Sequence, residues 1–359
     1  MTVPTLDGVT ARTMKTGGVT TRVLFTGPDD GIPVLFIQGN LSSATWWEET
    51  MVALPDRYRG IAPDLRGFGG ADPAVKVDAT RGMGDYVDDL VALLDDLGID
   101  KAHIVGMSLG GNIAWHLMAD HSERLLSVNL SGPGAPYGFC GTRDVEGTPI
   151  HDDFAGSGAG LSNPLLIEQL KAKNAGTDSP YTVRSALRLL VWKPPVIPER
   201  EDEFVAASFE MQVGEDSYPG DLVESPNWPF FAPGRWGSIN ALSPKHIRDP
   251  KAILEAPHKP SVLWVRGDGD FAVADGAASD PATLGAMGLK PDWPGPEQHP
   301  AQPMVGQTRH LLDKYVEAGG SFQEVVVADC GHVPSMTKPD EFNRAFHAHL
   351  ESTNPGGEK

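Results

Sequence analysis

The chain has 359 residues, 40% of them hydrophobic, which is enough for one large core with an insertion and is ordinary for a soluble globular protein. Its formal net charge of −19 would repel nucleic acid and anionic membranes, so neither is expected as a partner. The two cysteines lie far apart and indicate no disulfide framework, and no apolar run reaches transmembrane length. The first nine residues lack the apolar core of a signal peptide, so a cytoplasmic location is expected.

Strands and helices alternate along the first part of the chain. Five short apolar or β-rich runs predict strands, the first two joined as a hairpin by Gly17-Gly18: residues 11–16, 19–25, 34–37, 60–62 and 125–130. Residues 86–97 predict an amphipathic helix that turns Asp88 and Asp89 toward water. This alternation predicts an α/β fold with a mostly parallel sheet that is covered on both faces.

The segment from Lys101 to Gly111 carries the most specific motif of the chain. An apolar strand, residues 102–105, runs into Gly106-Met107-Ser108-Leu109-Gly110, and an amphipathic stretch at 112–119 follows. Strand, G-x-S-x-G and helix in this order are the context of a nucleophile elbow. The glycines keep side chains out of a crowded turn in which the serine takes a positive φ. The sequence therefore predicts Ser108 as a nucleophile at the positive end of a helix.

A serine hydroxyl is a poor nucleophile at neutral pH, so it needs a base and a group that orients the base. The β-rich run 322–327 is followed by Gly331-His332, which places His332 at the carboxyl edge of the sheet. The buried run 261–265 is followed by a loop whose carboxylates can accept the imidazole N–H. Three acids of this loop are candidates: Asp268, Asp270 and Asp275.

These motifs resemble the α/β-hydrolase superfamily over most of the chain outside one large insertion. Gln38-Gly39-Asn40-Leu41 stands where that family usually has His-Gly-x-x, and residues 64–69 are similar to its Asp-x-Arg-Gly-x-Gly turn. The resemblance implies an α/β-hydrolase fold with a mainly helical cap. It also implies Asp270 as the acid and the amides of Asn40 and Leu109 as the oxyanion hole. Gln38 departs from the family's histidine and leaves the loop's hydrogen bonding open.

The strand–helix rhythm breaks after Gly134 and resumes near Pro260, an interval too long for a loop. We therefore expect a hydrolase core at 1–133 and 260–359 and a cap, or lid, at 134–259. A cap would exclude water and supply an apolar pocket. Seven apolar residues are candidate substrate contacts, with packing in the protein's own core as the alternative: Trp46, Met107, Trp192, Trp228, Phe230, Phe231 and Trp236. A second insertion, 276–307, either covers the pocket mouth or wraps the surface.

Together these features predict a serine hydrolase that cleaves a small-molecule ester or lactone with an apolar acyl or ring portion. A serine nucleophile speaks against epoxide hydrolases and haloalkane dehalogenases, since the family members with those activities use aspartate. Cleavage of an amide or of a β-diketone C–C bond remains an alternative, as does a binding protein without turnover. No metal-ligand spacing and no dinucleotide motif occurs, so no metal and no cofactor is expected. A homo-oligomer stays open, because the sequence marks no interface.

Overall fold

An eight-stranded sheet forms the centre of the protein, whose computed structural model describes residues 3–354. The strands, in chain order, are β1 Thr10–Thr16, β2 Val19–Thr26, β3 Ile32–Ile37, β4 Tyr58–Pro63, β5 Ala102–Met107, β6 Leu125–Ser131, β7 Val213–Gly214, β8 Tyr218–Pro219, β9 Leu222–Glu224, β10 Phe231–Pro233, β11 Ser261–Gly267 and β12 Phe322–Val327. The large sheet has the order β1-β2-β4-β3-β5-β6-β11-β12. Its pairs are antiparallel between β1 and β2 and between β2 and β4, and parallel from β4 to β12. The carboxyl ends of six neighbouring strands therefore meet at one edge.

Twelve α-helices accompany the strands in the described part of the chain. They are α1 Glu48–Val52, α2 Gly84–Asp96, α3 Leu109–Asp120, α4 Pro164–Lys171, α5 Val183–Leu187, α6 Glu201–Ser208, α7 Ser238–Ala241, α8 Ala252–Glu255, α9 Pro281–Ala286, α10 Met304–Glu317, α11 Pro334–Thr337 and α12 Pro339–Ser352. Between residues 3 and 354, no helix combines the length and the apolar character that crossing a bilayer requires. The predicted α/β-hydrolase architecture, a large and mostly parallel sheet with helices, is confirmed.

The predicted amphipathic helix is α2, but the expectation that Asp89 faces water is wrong. Asp89 is buried and accepts hydrogen bonds from Nε and Nη2 of Arg66 at 2.9 and 2.8 Å. Arg66 follows β4, and its Nη1 also donates to Asp85 at 3.1 Å. A guanidinium fork can satisfy a carboxylate that packing removes from water. Hydrophobic periodicity does not show such a pairing, because it records residue type and not the partner.

The interval predicted as a cap lies between β6 and β11 and contains α4 to α8 and the short strands β7 to β10. Within this interval, α5 is followed directly by a π-helical turn, Arg188–Trp192. Near the end of the interval, α8 packs against α3 and α10, and its Ile253 is fully buried. The chain has thus returned to the sheet-bearing part before Pro260. Division of the remainder into a separate cap domain stays a prediction.

The second insertion, residues 276–307, packs against the first. Gln302 donates from Nε2 to the carbonyl of Gly138 at 3.1 Å. The indole N–H of Trp228 donates to the carbonyl of Pro291 at 2.9 Å. These bonds tie the second insertion to the first at two separate points.

A buried carboxylate, Asp64, joins three segments of the core. It accepts hydrogen bonds from Nε and Nη2 of Arg22 on β2 at 2.8 and 3.2 Å. It also accepts the backbone N–H groups of Ala44 at 2.8 Å and Gly70 at 2.7 Å. The Asp64 side chain is wholly shielded from solvent. One acid therefore connects β2, the turn after β4 and the segment that follows β3.

Replacing Asp64 with alanine should lower the free energy of unfolding by about 3–5 kcal/mol, because the substitution leaves the Arg22 cation buried without its partner. Urea unfolding of the full chain measures this change. Asp88→Ala is the matched control, since Asp88 is exposed, pairs with Arg81 and should change the free energy by no more than about 1 kcal/mol. Equal effects of the two substitutions would contradict the role given to Asp64.

Candidate active site

Ser108 stands between β5 and α3 in the turn that the motif predicts. Its backbone has φ 53° and ψ −116°, a strained conformation for a residue with a side chain. Two backbone N–H groups, those of Gly111 and Gly134, donate to its carbonyl at 2.8 and 2.9 Å. Its own N–H donates to the carbonyl of Ser131, at the end of β6, at 3.3 Å. Contacts on both sides of the turn therefore hold the strained conformation in place.

Close backbone packing explains the two glycines of the motif. A Cβ atom on Gly106 would lie 2.5 Å from the carbonyl oxygen of Gly110. A Cβ atom on Gly110 would lie 2.3 Å from the carbonyl oxygen of Ile37, at the end of β3. Real side chains do not tolerate contacts this short, so α3 begins against β3 only because position 110 has no side chain.

Gln38 anchors the loop that follows β3. Its Nε2 donates to the carbonyl of Ser42 at 2.8 Å, and the Ser42 hydroxyl donates to the carbonyl of Gly39 at 2.8 Å. Leu41, three residues after Gln38, has φ 56°, and its carbonyl accepts the hydroxyl of Ser208 on α6. These bonds show how the loop is held without the family's histidine, because the Gln38 amide bonds the carbonyl of Ser42 within the same loop.

The two proposed oxyanion donors flank Ser108. Gly39 approaches Ser108 so closely that a Cβ there would lie 3.0 Å from the Ser108 Cβ, and Asn40 is the next residue. Leu109 is the first residue of α3, where a backbone N–H has no helical acceptor. Within residues 3–354, neither the Asn40 nor the Leu109 amide donates to a protein acceptor. Both N–H groups are therefore available to a ligand.

The structure brings Asp270 and His332 together at the ends of β11 and β12. The Nδ1 atom of His332 lies 2.8 Å from Oδ2 of Asp270, and both side chains are buried. The other carboxylate oxygen, Oδ1, accepts the backbone N–H groups of Ala272 and Val273 at 2.8 and 3.0 Å. With Nδ1 directed at the carboxylate, Nε2 of the neutral ring is the nitrogen that can accept a proton.

The other two candidate acids are engaged elsewhere. Asp268 lies 3.3 Å from the ammonium group of Lys193. The Oδ1 atom of Asp275 accepts the N–H groups of Val305 and Gly306, in the first turn of α10, at 2.9 and 3.1 Å. Asp270 is therefore the acid whose geometry suits an orienting role.

Gly132 lies between the turn at Ser108 and the side chain of His332, at one edge of the sheet. Gly132 follows Ser131, which bonds the Ser108 amide, and donates its own N–H to Val265 of β11 at 2.9 Å. A Cβ atom on Gly132 would lie 3.1 Å from Nδ1 of His332. Among the described residues, the Ser108 hydroxyl makes no hydrogen bond to the imidazole. Such contacts often tighten only when substrate is bound.

Two other buried histidines are core residues. Nδ1 of His103 lies 2.8 Å from the Ser127 hydroxyl, and Nδ1 of His349 lies 2.7 Å from Oδ1 of Asn129. Burial lowers the pKa of both imidazoles to about 4, so they are neutral at pH 7. Between residues 3 and 354, no group of three or more His, Cys, Asp or Glu side chains could hold a metal ion.

Two of the predicted substrate contacts pack against each other. The rings of Trp46 and Trp192 lie 5.2 Å apart, and Trp46 lies 5.8 Å from Phe204 of α6. The indole N–H of Trp46 donates to the carbonyl of Phe204 at 3.3 Å, and that of Trp192 donates to Glu201 at 3.4 Å. Both tryptophans are buried, so they join the insertion to the core.

The remaining candidates lie in other places. Met107 is buried, with its Cε near Gly39, and supports the loop beside Ser108. Trp228 packs on the ring of His299, with centroids 4.7 Å apart. Trp236 lies beneath the guanidinium of Arg235, at 4.8 Å. Phe230 is exposed, and Phe231 lies under Lys290. Five of the six aromatic candidates therefore pack on groups of the protein itself, and Phe230 is exposed, so their contact with a substrate stays a prediction.

The comparisons with known proteins agree with the fold. The profile of a family described as alpha/beta hydrolase fold matches residues 32–153. Epoxide hydrolase A of Mycobacterium tuberculosis (strain ATCC 25618 / H37Rv) is 34% identical over 283 residues, which are 74% of this chain and 88% of that protein. An uncharacterized carboxylesterase, nap, of Bacillus subtilis (strain 168) is 30% identical over 41% of this chain and 45% of its own.

One solved structure extends the likeness over nearly the whole chain. It is the 2-hydroxy-6-oxo-6-phenylhexa-2,4-dienoate hydrolase of Rhodococcus sp. strain RHA1, with a TM-score of 0.58 and 18% identity, covering 95% of this chain and 98% of that one. By contrast, the chain spans 40 to 46% of the length of several other curated relatives. The match over most of both chains with the mycobacterial protein, together with the sheet order and the turn at Ser108, shows that this protein belongs to the α/β-hydrolase superfamily, a family of hydrolytic enzymes.

Proposed function

We propose that the protein is a serine hydrolase that cleaves a carboxylic ester or lactone with an apolar acyl or ring portion. One observation carries the proposal: the strained turn at Ser108 lies at the sheet edge that also holds the hydrogen-bonded pair of Asp270 and His332. A nucleophile, a base and an acid that orients the base are the parts that acyl transfer through serine needs.

In the proposed reaction, the Ser108 oxygen attacks the substrate carbonyl while Nε2 of His332 takes the hydroxyl proton. Asp270 accepts the N–H of Nδ1 and stabilises the imidazolium that forms. The amides of Asn40 and Leu109 bind the negative oxygen, and each such donor lowers the barrier by about 3–4 kcal/mol. His332 then protonates the leaving alkoxide. Water, deprotonated by His332, attacks the acyl-enzyme, which releases the acid and restores Ser108.

A serine at the nucleophile position favours an ester over an epoxide. Attack of a serine oxygen on an epoxide carbon would give an ether, which has no carbonyl for water to attack. Attack on an ester gives an acyl-enzyme, which His332 can hydrolyse by the same proton transfers. The mycobacterial relative is called an epoxide hydrolase. The family resemblance implies an aspartate nucleophile for that activity, whereas this chain has Ser108.

A fluorophosphonate probe should label Ser108, because such reagents react with a serine whose hydroxyl is activated by a base. Mass spectrometry of the labelled peptide locates the bond. Ser108→Ala should abolish labelling, and Ser321→Ala, at an exposed serine before β12, should leave it unchanged. A folded wild-type protein that stays unlabelled would instead support a binding protein without turnover.

Asp270→Asn should lower kcat for a nitrophenyl ester by around 10⁴-fold, because an amide at this position favours the wrong imidazole tautomer. Steady-state kinetics measures the loss. Asp275→Asn is the control, since Asp275 bonds the first turn of α10 and should leave kcat close to that of the wild type. A large loss at Asp275 with a small one at Asp270 would show that the acid is wrongly assigned.

The ester class is tested with a panel of nitrophenyl esters of graded chain length, with lactones and β-diketones alongside. Esters or lactones with an apolar acyl or ring portion should give the highest kcat/KM, because transfer of each buried CH₂ group from water contributes about 0.8 kcal/mol. Turnover of the β-diketones alone would replace ester hydrolysis with C–C bond cleavage on the same triad.

A further inference from the structure

A short segment of the insertion, Val191–Lys193, contacts both loops that carry the proposed base and its acid. We infer that Lys193 is a positioning residue, which holds the Asp270 loop and the His332 loop in register from the insertion side. This inference rests on the proposed serine hydrolase function, since it concerns the geometry of the same pair.

The first contact is between backbones. The N–H of His332 donates to the carbonyl of Val191 at 2.9 Å. A Cβ atom on Gly331 would lie 2.4 Å from that carbonyl oxygen and 3.0 Å from the backbone nitrogen of Lys193. The loop that carries His332 therefore packs directly against the backbone of Val191–Lys193. The contact requires the chain to bend sharply at Lys193, whose φ is 60°. A lysine rarely adopts this conformation, and surrounding contacts must hold it there.

The second contact is made by the Lys193 side chain. Its Nζ lies 3.3 Å from Oδ1 of Asp268 and 3.6 Å from Oδ1 of Asp329. Asp268 precedes Asp270 by two residues, and Asp329 precedes His332 by three. The side chain crosses Gly269 so closely that a Cβ there would lie 2.5 Å from Nζ. One ammonium group therefore bridges the loops that follow β11 and β12.

The turn that precedes Lys193 is itself fixed. Trp192 is fully buried against Trp46 and Phe204. Arg188 donates to both carboxylate oxygens of Glu201, on α6, at 2.7 and 2.6 Å. Because the turn is anchored to α6 and to the core, it holds the Val191 carbonyl and the base of the Lys193 side chain in place beside the loops that carry Asp270 and His332.

The exposure of these groups separates a positioning role from a stabilising one. The side chains of Lys193, Asp268 and Asp329 are 26%, 45% and 91% exposed. Ion pairs this accessible contribute little to the stability of a folded protein. The bond between Asp270 and His332, in contrast, joins two separate loops, and a displacement of about 1 Å between catalytic groups costs about 10²-fold in rate. Loss of the bridge should therefore affect catalysis more than folding.

Lys193→Met in the full chain tests the inference. A partial displacement of the loops should lower kcat by about tenfold, with KM changed less than about twofold and the unfolding midpoint close to that of the wild type. Lys193→Arg should restore most of the rate, because a guanidinium can also bridge two carboxylates. Lys171→Met is the matched control, since Lys171 is an exposed lysine on α4 of the same insertion, and it should behave as the wild type.

A double-mutant cycle with Asp268 and Asp329 shows whether Lys193 acts through these two carboxylates. In an Asp268→Asn/Asp329→Asn background, Lys193→Met should have no further effect on kcat. A wild-type enzyme that hydrolyses esters, combined with an unchanged kcat in Lys193→Met, overturns the inference and leaves the proposed function intact. The inference is also overturned if Lys193→Met lowers the stability of the fold in parallel with kcat and Lys193→Arg restores neither. A wild type without esterase activity or fluorophosphonate labelling overturns the proposed function.

Discussion

The turn at Ser108 is the constraint on which the rest of the site depends. Its positive φ is strained, and it persists because β3, β5 and β6 pack around it without side chains in the way. Gly110 lies under the end of β3, and the Ser108 carbonyl accepts N–H groups from both α3 and the segment after β6. The same packing places Gly39, and with it the loop of Asn40, against Ser108. The proposed nucleophile and its two proposed backbone donors therefore depend on one piece of close backbone packing.

Much of the fold and part of the candidate site could be predicted from the sequence, because these features rest on local patterns. The hairpin at Gly17-Gly18, the strands that end before Ser108 and His332, and the elbow motif each depend on residues adjacent in sequence. Features that depend on distant partners could not be predicted. The helical pattern assigned Asp89 to the solvent-facing side, because it does not show that Arg66 pairs with this carboxylate. Likewise, the missing histidine at position 38 did not show that the Gln38 amide bonds Ser42.

The aromatic residues of the insertion illustrate the same limit. Composition left substrate contact and internal packing open for these rings, and the structure shows that Trp192 packs into a cluster that joins the insertion to the core. Around the site, the insertion bonds the core at separate points: Val191 to the histidine loop, Ser208 to Leu41, and Arg200 to the buried Glu48 at 2.8 Å. The buried ring of Trp192 fixes the position of the insertion relative to the core. This fixed position places Lys193 next to the loops that carry Asp270 and His332.

The reaction proposed for this protein depends on the residue at position 108. The mycobacterial relative shares 34% identity over 74% of the chain, yet overall similarity conveys the fold and not the reaction. The reaction depends on the covalent intermediate that the nucleophile can form and then lose. A carboxylate nucleophile gives an ester intermediate even with an epoxide, because the enzyme itself supplies the carbonyl. A serine hydroxyl supplies none, so the substrate must bring the carbonyl, and Ser108 thereby restricts the proposed substrates to acyl compounds.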